Sequence, residues 1–159
     1  AGCSAGFAAL AGRISAVKDR IAAVVGAVAQ EAPNAEIYVT GYPYLFGNGA
    51  LDPTSTCDVG TSPFGDAIPV EASAAVGFNL ATDALNGAIA AGVAYSANPD
   101  ATFVDVSAGS LTHGVCGSGE PWINGVVYAG PTLLPMSFHP NLEGSQAYAD
   151  AIEMANTAD

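Results

Sequence analysis

Beyond Arg20 the sequence contains no lysine or arginine: three basic residues, Arg13, Lys18 and Arg20, stand against 15 acidic ones, for a net charge of −12. Nucleic acids and anionic membranes are bound through clustered cations, so this balance argues against both as partners. The ordinary consequence of such acidity is solubility. Charged residues of either sign make up only 11% of the chain while half of it is hydrophobic, which is the composition of a chain that folds. No apolar run is long enough to span a bilayer, so no transmembrane segment is expected. Residues 5 to 29 superficially resemble a signal h-region, but Arg13, Lys18, Asp19 and Arg20 interrupt them and no cleavage pattern follows. If the protein is exported, its targeting segment has already been removed.

Cysteine is scarce too, and its count is odd: Cys3, Cys57 and Cys116. Cys57 and Cys116 both fall in loop-like sequence, and a bridge between them would stabilise by roughly 4 kcal/mol in the chain-entropy model. Cys3 is then left over, either as a free thiol or with a partner outside this chain.

At 159 residues the chain has the length of one domain. Apolar residues at Ile14, Val17, Ile21, Val24, Val25 and Val28 recur at three and four, which predicts a helix over residues 6 to 31, stopping before Pro33. A strand over 36–41 follows, ending at Gly41-Tyr42-Pro43. Residues 47 to 73 show no period and read as a long loop. Phe78, Leu80, Leu85, Ile89 and Val93 mark a second helix from Val76 to about Ala97. Thr102 to Val106 is a second strand, residues 107 to 135 read as irregular, and a last helix runs from Glu143 or Gly144 to about Asn156. Val126-Val127-Tyr128 is a further short strand candidate. Helix, strand, helix, strand, helix is the order of a parallel α/β sheet, with too few strands for a sheet covered on both faces.

Near the C-terminus stands Ser137-Phe138-His139-Pro140-Asn141, followed by Gly144 and the periodic Ala147, Tyr148, Ala151 and Ile152. A histidine between a loop and a helix start, with a proline stiffening the turn, has the placement of a general base. A base alone performs no acyl transfer, and nothing upstream supplies a serine motif. Either the nucleophile lies on another polypeptide or the chain is not catalytic. Ser137 is no substitute, because side chains two apart in extended sequence point to opposite sides. His113 and Cys116 invite a zinc reading, but two ligands do not make a site. The carboxylates Asp52 with Asp58, and Asp100 with Asp105, come with no glycosidase or calcium motif and read as solvated. Trp122 either lines an acyl pocket or caps the core.

With its segments in place the chain resembles the C-terminal portion of SGNH (GDSL-type) esterases and lipases of the secreted actinobacterial kind. The resemblance rests on Val39-Thr40-Gly41-Tyr42-Pro43-Tyr44-Leu45-Phe46, Leu85-Asn86-Gly87-Ala88-Ile89-Ala90 and Phe103-Val104-Asp105-Val106. It continues through His113-Gly114-Val115-Cys116, Pro121-Trp122-Ile123-Asn124-Gly125 and the Ser137 to Asn141 block, in that order. It implies a flavodoxin-like three-layer α/β/α fold with a parallel sheet, of which residues 1–159 are the C-terminal portion of a single domain. It also implies a secreted enzyme without a cofactor, hydrolysing small esters or lipids with a serine nucleophile and His139 as the base.

The departures from the family are equally specific. Its Gly-Asp-Ser block is absent; the nearest string, Gly65-Asp66-Ala67, has alanine in place of the serine. The oxyanion-hole glycine and asparagine blocks are missing as well. Where many members carry an aspartate three residues before the histidine, this chain has Met136, whose thioether cannot orient an imidazole; the main-chain carbonyl of Met136 is the expected substitute, giving a Ser–His dyad. The family also pairs a cysteine near the start of this region with one upstream, a role that falls to Cys3. The expectation is a C-terminal piece of a serine hydrolase whose N-terminal chain is a partner, linked through Cys3. The alternative is a secreted or surface binding protein that keeps the fold without the nucleophile.

Overall fold

The computed structural model describes residues 12–157. Cys3, and the tether expected through it, lies outside them, as do the first residues of the expected N-terminal helix. In chain order the elements are α1 (Val17–Glu31), β1 (Ile37–Thr40), a 3-10 turn (Asn48–Leu51), β2 (Cys57–Thr61), β3 (Ala67–Val70), α2 (Ala72–Ser96), β4 (Ala101–Val104), α3 (Ser110–His113), β5 (Tyr128–Ala129), β6 (Thr132–Leu133) and α4 (Leu142–Asn156). The chain divides into two compact units, one comprising residues up to Tyr42, Leu80–Val106 and the end from Ala151, the other Pro43–Asn79 and Ser107–Asp150.

The first unit holds the parallel sheet. β1 and β4 pair in parallel from Ile37 opposite Ala101 to Thr40 opposite Val104, as the helix and strand order predicts. The ladder is extended at both ends by Ile37 N–H to the Asp100 carbonyl (2.7 Å) and Gly41 N–H to the Val104 carbonyl (3.0 Å). Among the described residues this sheet has two strands. Val25, Ile89, Val93 and Val104 are buried in this unit. α1 and α2 approach closely at Gly92, where a Cβ would lie 2.7 Å from Ile21 Cβ and 2.7 Å from the Lys18 carbonyl. Beyond β1, Asn86 of α2 behaves like one more strand residue: Tyr42 N–H donates to its Oδ1 and its Nδ2 donates to the Tyr42 carbonyl, both at 2.8 Å.

The helix expected from residue 6 has a break before Val17. The Ser15 hydroxyl donates back to the Gly12 carbonyl (2.8 Å) and Ala16 N–H reaches the Arg13 carbonyl (3.2 Å), a tight turn that competes with the helical ladder. α2 begins at Ala72 rather than Val76. Its first residues, Ala72 to Ala75, include no large apolar side chain for a periodicity to register, although Ala75 is wholly buried.

The second unit has its own core of Phe46, Ala50, Cys57, Val59, Ala75, Val115 and Ile123. Here the expected long loop over 47 to 73 is structured: β2 and β3 form an antiparallel hairpin, Cys57 opposite Val70 and Thr61 opposite Ala67, with an irregularity between. Only Cys57 and Val59 alternate inward, too short a pattern to stand out among glycine, proline and aspartate. The disulfide Cys57–Cys116, with Cα atoms 5.7 Å apart, ties this hairpin to the segment after α3. The strand candidate at Val126 divides in two. Val126 makes a single parallel bridge to Gly60, while Tyr128 and Ala129 pair antiparallel with Leu133 and Thr132, turning at Gly130 (φ +57°). Neither joins the β1–β4 sheet.

Candidate functional site around His139

His139 lies on a short connection that the second unit pins from one side. Phe138 N–H donates to the carbonyls of Asn124 (3.1 Å) and Gly125 (3.3 Å), Asn124 N–H to the His139 carbonyl (2.9 Å), and Asn141 N–H to the Trp122 carbonyl (2.9 Å). Around the bridge between Ile123 and Pro140 these bonds form a small antiparallel ladder. Pro140 brings no donor and a restricted φ to it. The next residue, Asn141, caps α4: Gly144 N–H donates to its Oδ1 (2.9 Å), while its Nδ2 donates to the Pro121 carbonyl (2.6 Å). A side chain at Gly144 would collide with the Trp122 carbonyl, so only glycine lets α4 start this close to the ladder.

The imidazole is oriented by the main chain. Nδ1 of His139 is 3.0 Å from the Ser137 carbonyl oxygen. A carbonyl only accepts, so Nδ1 carries the proton and Nε2 of the neutral ring keeps its lone pair. His139 is exposed, and among the described residues Nε2 has no hydrogen-bond partner. The carbonyl expected to orient the ring, that of Met136, instead accepts the His139 N–H at 3.1 Å and closes the turn Met136–His139. A carbonyl engaged in closing that turn lies under the backbone, and the next one along reaches the ring.

Phe138 has φ +59°, the left-handed region that a non-glycine residue rarely occupies. Its ring packs edge-on against Phe46, centroids 6.5 Å apart, and Phe46 in turn meets Phe78 at 5.7 Å. Phe46 is held in place by Asn79, whose Nδ2 donates to the Phe46 carbonyl (2.8 Å) and whose Oδ1 accepts the Phe46 N–H (3.3 Å). No periodicity or motif singles out Ser137, Phe138 or Asn79 for these parts. The asparagines within an apolar helix pattern are the one signal that could have found Asn79, since buried amides need partners.

The other residues of interest are occupied elsewhere. Ser137 Oγ accepts the Val127 N–H (2.9 Å) and donates to the Val127 carbonyl (3.2 Å), so it is not a nucleophile for His139. Trp122 stacks on His113, rings 4.0 Å apart and nearly parallel, and His113 Nδ1 bonds the Glu120 carbonyl at 2.7 Å. Cys116 is committed to its bridge with Cys57, which removes it as a partner for His113 in a zinc site. Among the described residues no three histidines, cysteines or carboxylates come close enough to hold a metal. Asp52 accepts from Thr54 Oγ1 (2.7 Å) and Thr54 N–H (2.8 Å), and those bonds, the side-chain one foremost, hold its carboxyl below the usual range. Gly65-Asp66-Ala67 sits at the β2–β3 turn.

No family model matches the chain, and neither does any curated protein. Among solved structures it is similar to phospholipase A1 from Streptomyces albidoflavus NA297, with a TM-score of 0.70 and 24% identity over 93% of this chain and 56% of that one. It is similar too to an extracellular lipase from Streptomyces rimosus, with a TM-score of 0.66 and 24% identity over 96% of this chain and 58% of that one. The fold is therefore the mixed α/β fold of those two structures, with the parallel strand pair that the order of elements in the sequence implies. The chain spans a little over half the length of either structure.

Proposed function

We propose that this chain is the histidine-bearing part of a secreted serine ester hydrolase, acting on ester or lipid substrates through a Ser–His dyad. The observation that carries the reading is the ring of His139, anchored at Nδ1 by the Ser137 carbonyl with Nε2 exposed and unpartnered among the described residues. Nε2 takes the proton of a serine hydroxyl as its oxygen attacks the ester carbonyl, then returns it to the leaving alcohol. The Ser137 carbonyl keeps the proton on Nδ1 and stabilises the imidazolium that forms, the part an aspartate plays in a triad. The serine and the oxyanion donors come from a polypeptide segment beyond this sequence or from a partner chain, with Cys3 as its covalent link. Among the described residues the β1–β4 sheet has two strands, which supports such a partner, because parallel sheets are ordinarily larger and covered on both faces. The Cys57–Cys116 bridge and the extracellular lipase among the structural neighbours support secretion.

The test is to assemble the chain with its serine-bearing part and measure short-chain ester hydrolysis with and without His139→Ala. Loss of the base should lower kcat by about 10²- to 10⁴-fold. Full activity in the variant would sink the dyad. A serine-reactive phosphonate that labels no polypeptide in the assembled material would favour a binding protein that has kept the fold. Intact mass before and after reduction checks Cys3, since the linked partner should appear only on reduction.

A further inference from the structure

The tip of the β2–β3 hairpin presents the most exposed large apolar side chain among the described residues, Phe64, at 92% exposure. Its backbone is closed on itself. Ser62 N–H donates to the Asp66 carbonyl (2.7 Å) and Gly65 N–H to the Ser62 carbonyl (3.0 Å). Ser62 Oγ accepts the N–H groups of both Phe64 (3.3 Å) and Asp66 (3.2 Å). Pro63 has no N–H, so every amide donor from Ser62 to Asp66 is satisfied within the turn. Gly65, at φ +92°, allows that closure.

A protruding aromatic is exposed to water at a cost, and a loop whose amides already have partners gives up less on leaving water than an ordinary loop does. Those two properties suit a segment that enters a lipid–water interface. The charges select the kind of interface. Asp66 lies in the turn itself, Asp58 and Glu71 stand at the far end of the hairpin, and no lysine or arginine occurs beyond Arg20, so an anionic surface is repelled. The carboxylate of Asp66, two residues from the aromatic in the same turn, complements an outward quaternary ammonium group.

We infer that the β2–β3 tip is an anchor for lipid surfaces with zwitterionic choline headgroups, with Phe64 as the inserting residue. The anchor is independent of ester cleavage and needs no nucleophile.

The experiment is co-sedimentation of the full 159-residue chain with phosphatidylcholine vesicles. The parent should bind, and Phe64→Ala should lower its partition roughly tenfold, the scale expected for partial burial of one phenyl ring. Met154→Ala removes a 70% exposed apolar side chain from α4 and should leave binding unchanged. Phe64→Trp should bind as the parent does, with its added emission shifted to the blue and quenched by brominated lipid. Replacing a third of the phosphatidylcholine by phosphatidylglycerol should weaken binding. Absence of parent binding, equal binding by Phe64→Ala, or stronger binding to the anionic vesicles would overturn the assignment. Because Phe64 lies in no part of the His139 machinery, Phe64→Ala should leave hydrolysis of a water-soluble ester by the assembled enzyme intact. Failure of the anchor is thereby separated from failure of the hydrolase reading.

Discussion

The ring of Phe138 packs edge-on against that of Phe46, 6.5 Å between centroids, and this contact holds a left-handed residue immediately before His139. Together with the Phe138 N–H bonds to the Asn124 and Gly125 carbonyls it keeps a strained φ, beside which the Ser137 carbonyl is aimed at Nδ1.

Phe138→Ala should therefore impair the assembled hydrolase more than it impairs folding. The aromatic contact is lost while the positive φ still disfavours alanine, so His139 loses its fixed orientation. We expect kcat to fall by about an order of magnitude or more, the scale of small misplacements of catalytic groups. Urea unfolding of the chain should shift by no more than about 2 kcal/mol, since Phe138 is already 37% exposed. A kcat equal to the parent's would show that Phe138 does not position the histidine.

Asn79→Ala should cost about 2–4 kcal/mol, measured as a lower urea midpoint. Asn79 satisfies both the N–H and the C=O of buried Phe46, and alanine leaves two polar groups without partners. Asn79→Asp retains an acceptor for the N–H but faces the Phe46 carbonyl with a carboxylate oxygen, so it should be no more stable than the alanine variant near neutral pH.

Replacing both Cys57 and Cys116 by serine should lower stability by up to about 4 kcal/mol, because the bridge closes a loop with a sequence separation of 59. The midpoint in reducing agent should match that of the double variant. A parent insensitive to reduction would mean the stabilisation resides in packing around Cys57, which is 1% exposed, rather than in the bond.

The Asp52 turn should respond to acid in one direction. Thr54 donates to the charged form of the carboxyl and holds its folded pKa below the ordinary aspartate value, so its contribution is present above that ordinary value and is lost as pH falls through the folded pKa. Parent and Asp52→Ala should differ in melting temperature near neutral pH and converge in strong acid. The difference should be small, since the carboxylate is solvent-exposed and screened.

The parallel β1–β4 pair and helices α1, α2 and α4 were legible in the sequence, the helices through a local period of large apolar side chains and the strands through short β-branched and aromatic runs, whereas the one-turn α3 falls in the stretch 107 to 135 that reads as irregular. The His-Pro block before α4 was legible for a similar reason: Pro140, Asn141 and Gly144 each meet a local backbone need, and all three are found meeting it. The β2–β3 hairpin was not legible, since its strands are short and hold position through the disulfide and a bridge to Val126 rather than through a pattern of their own. Which carbonyl orients His139 was likewise beyond sequence reasoning. Met136 and Ser137 are equally supplied with oxygens, and the choice depends on the sign of one φ, at Phe138. Phe138 is held there by its N–H bonds to the Asn124 and Gly125 carbonyls and by its contact with Phe46, 92 positions away in the chain, which the amide of Asn79 fixes. Composition and local period determined the elements and the residue types at the site; long-range packing decided the direction in which the histidine faces, because side-chain orientation follows from contacts that no local window contains.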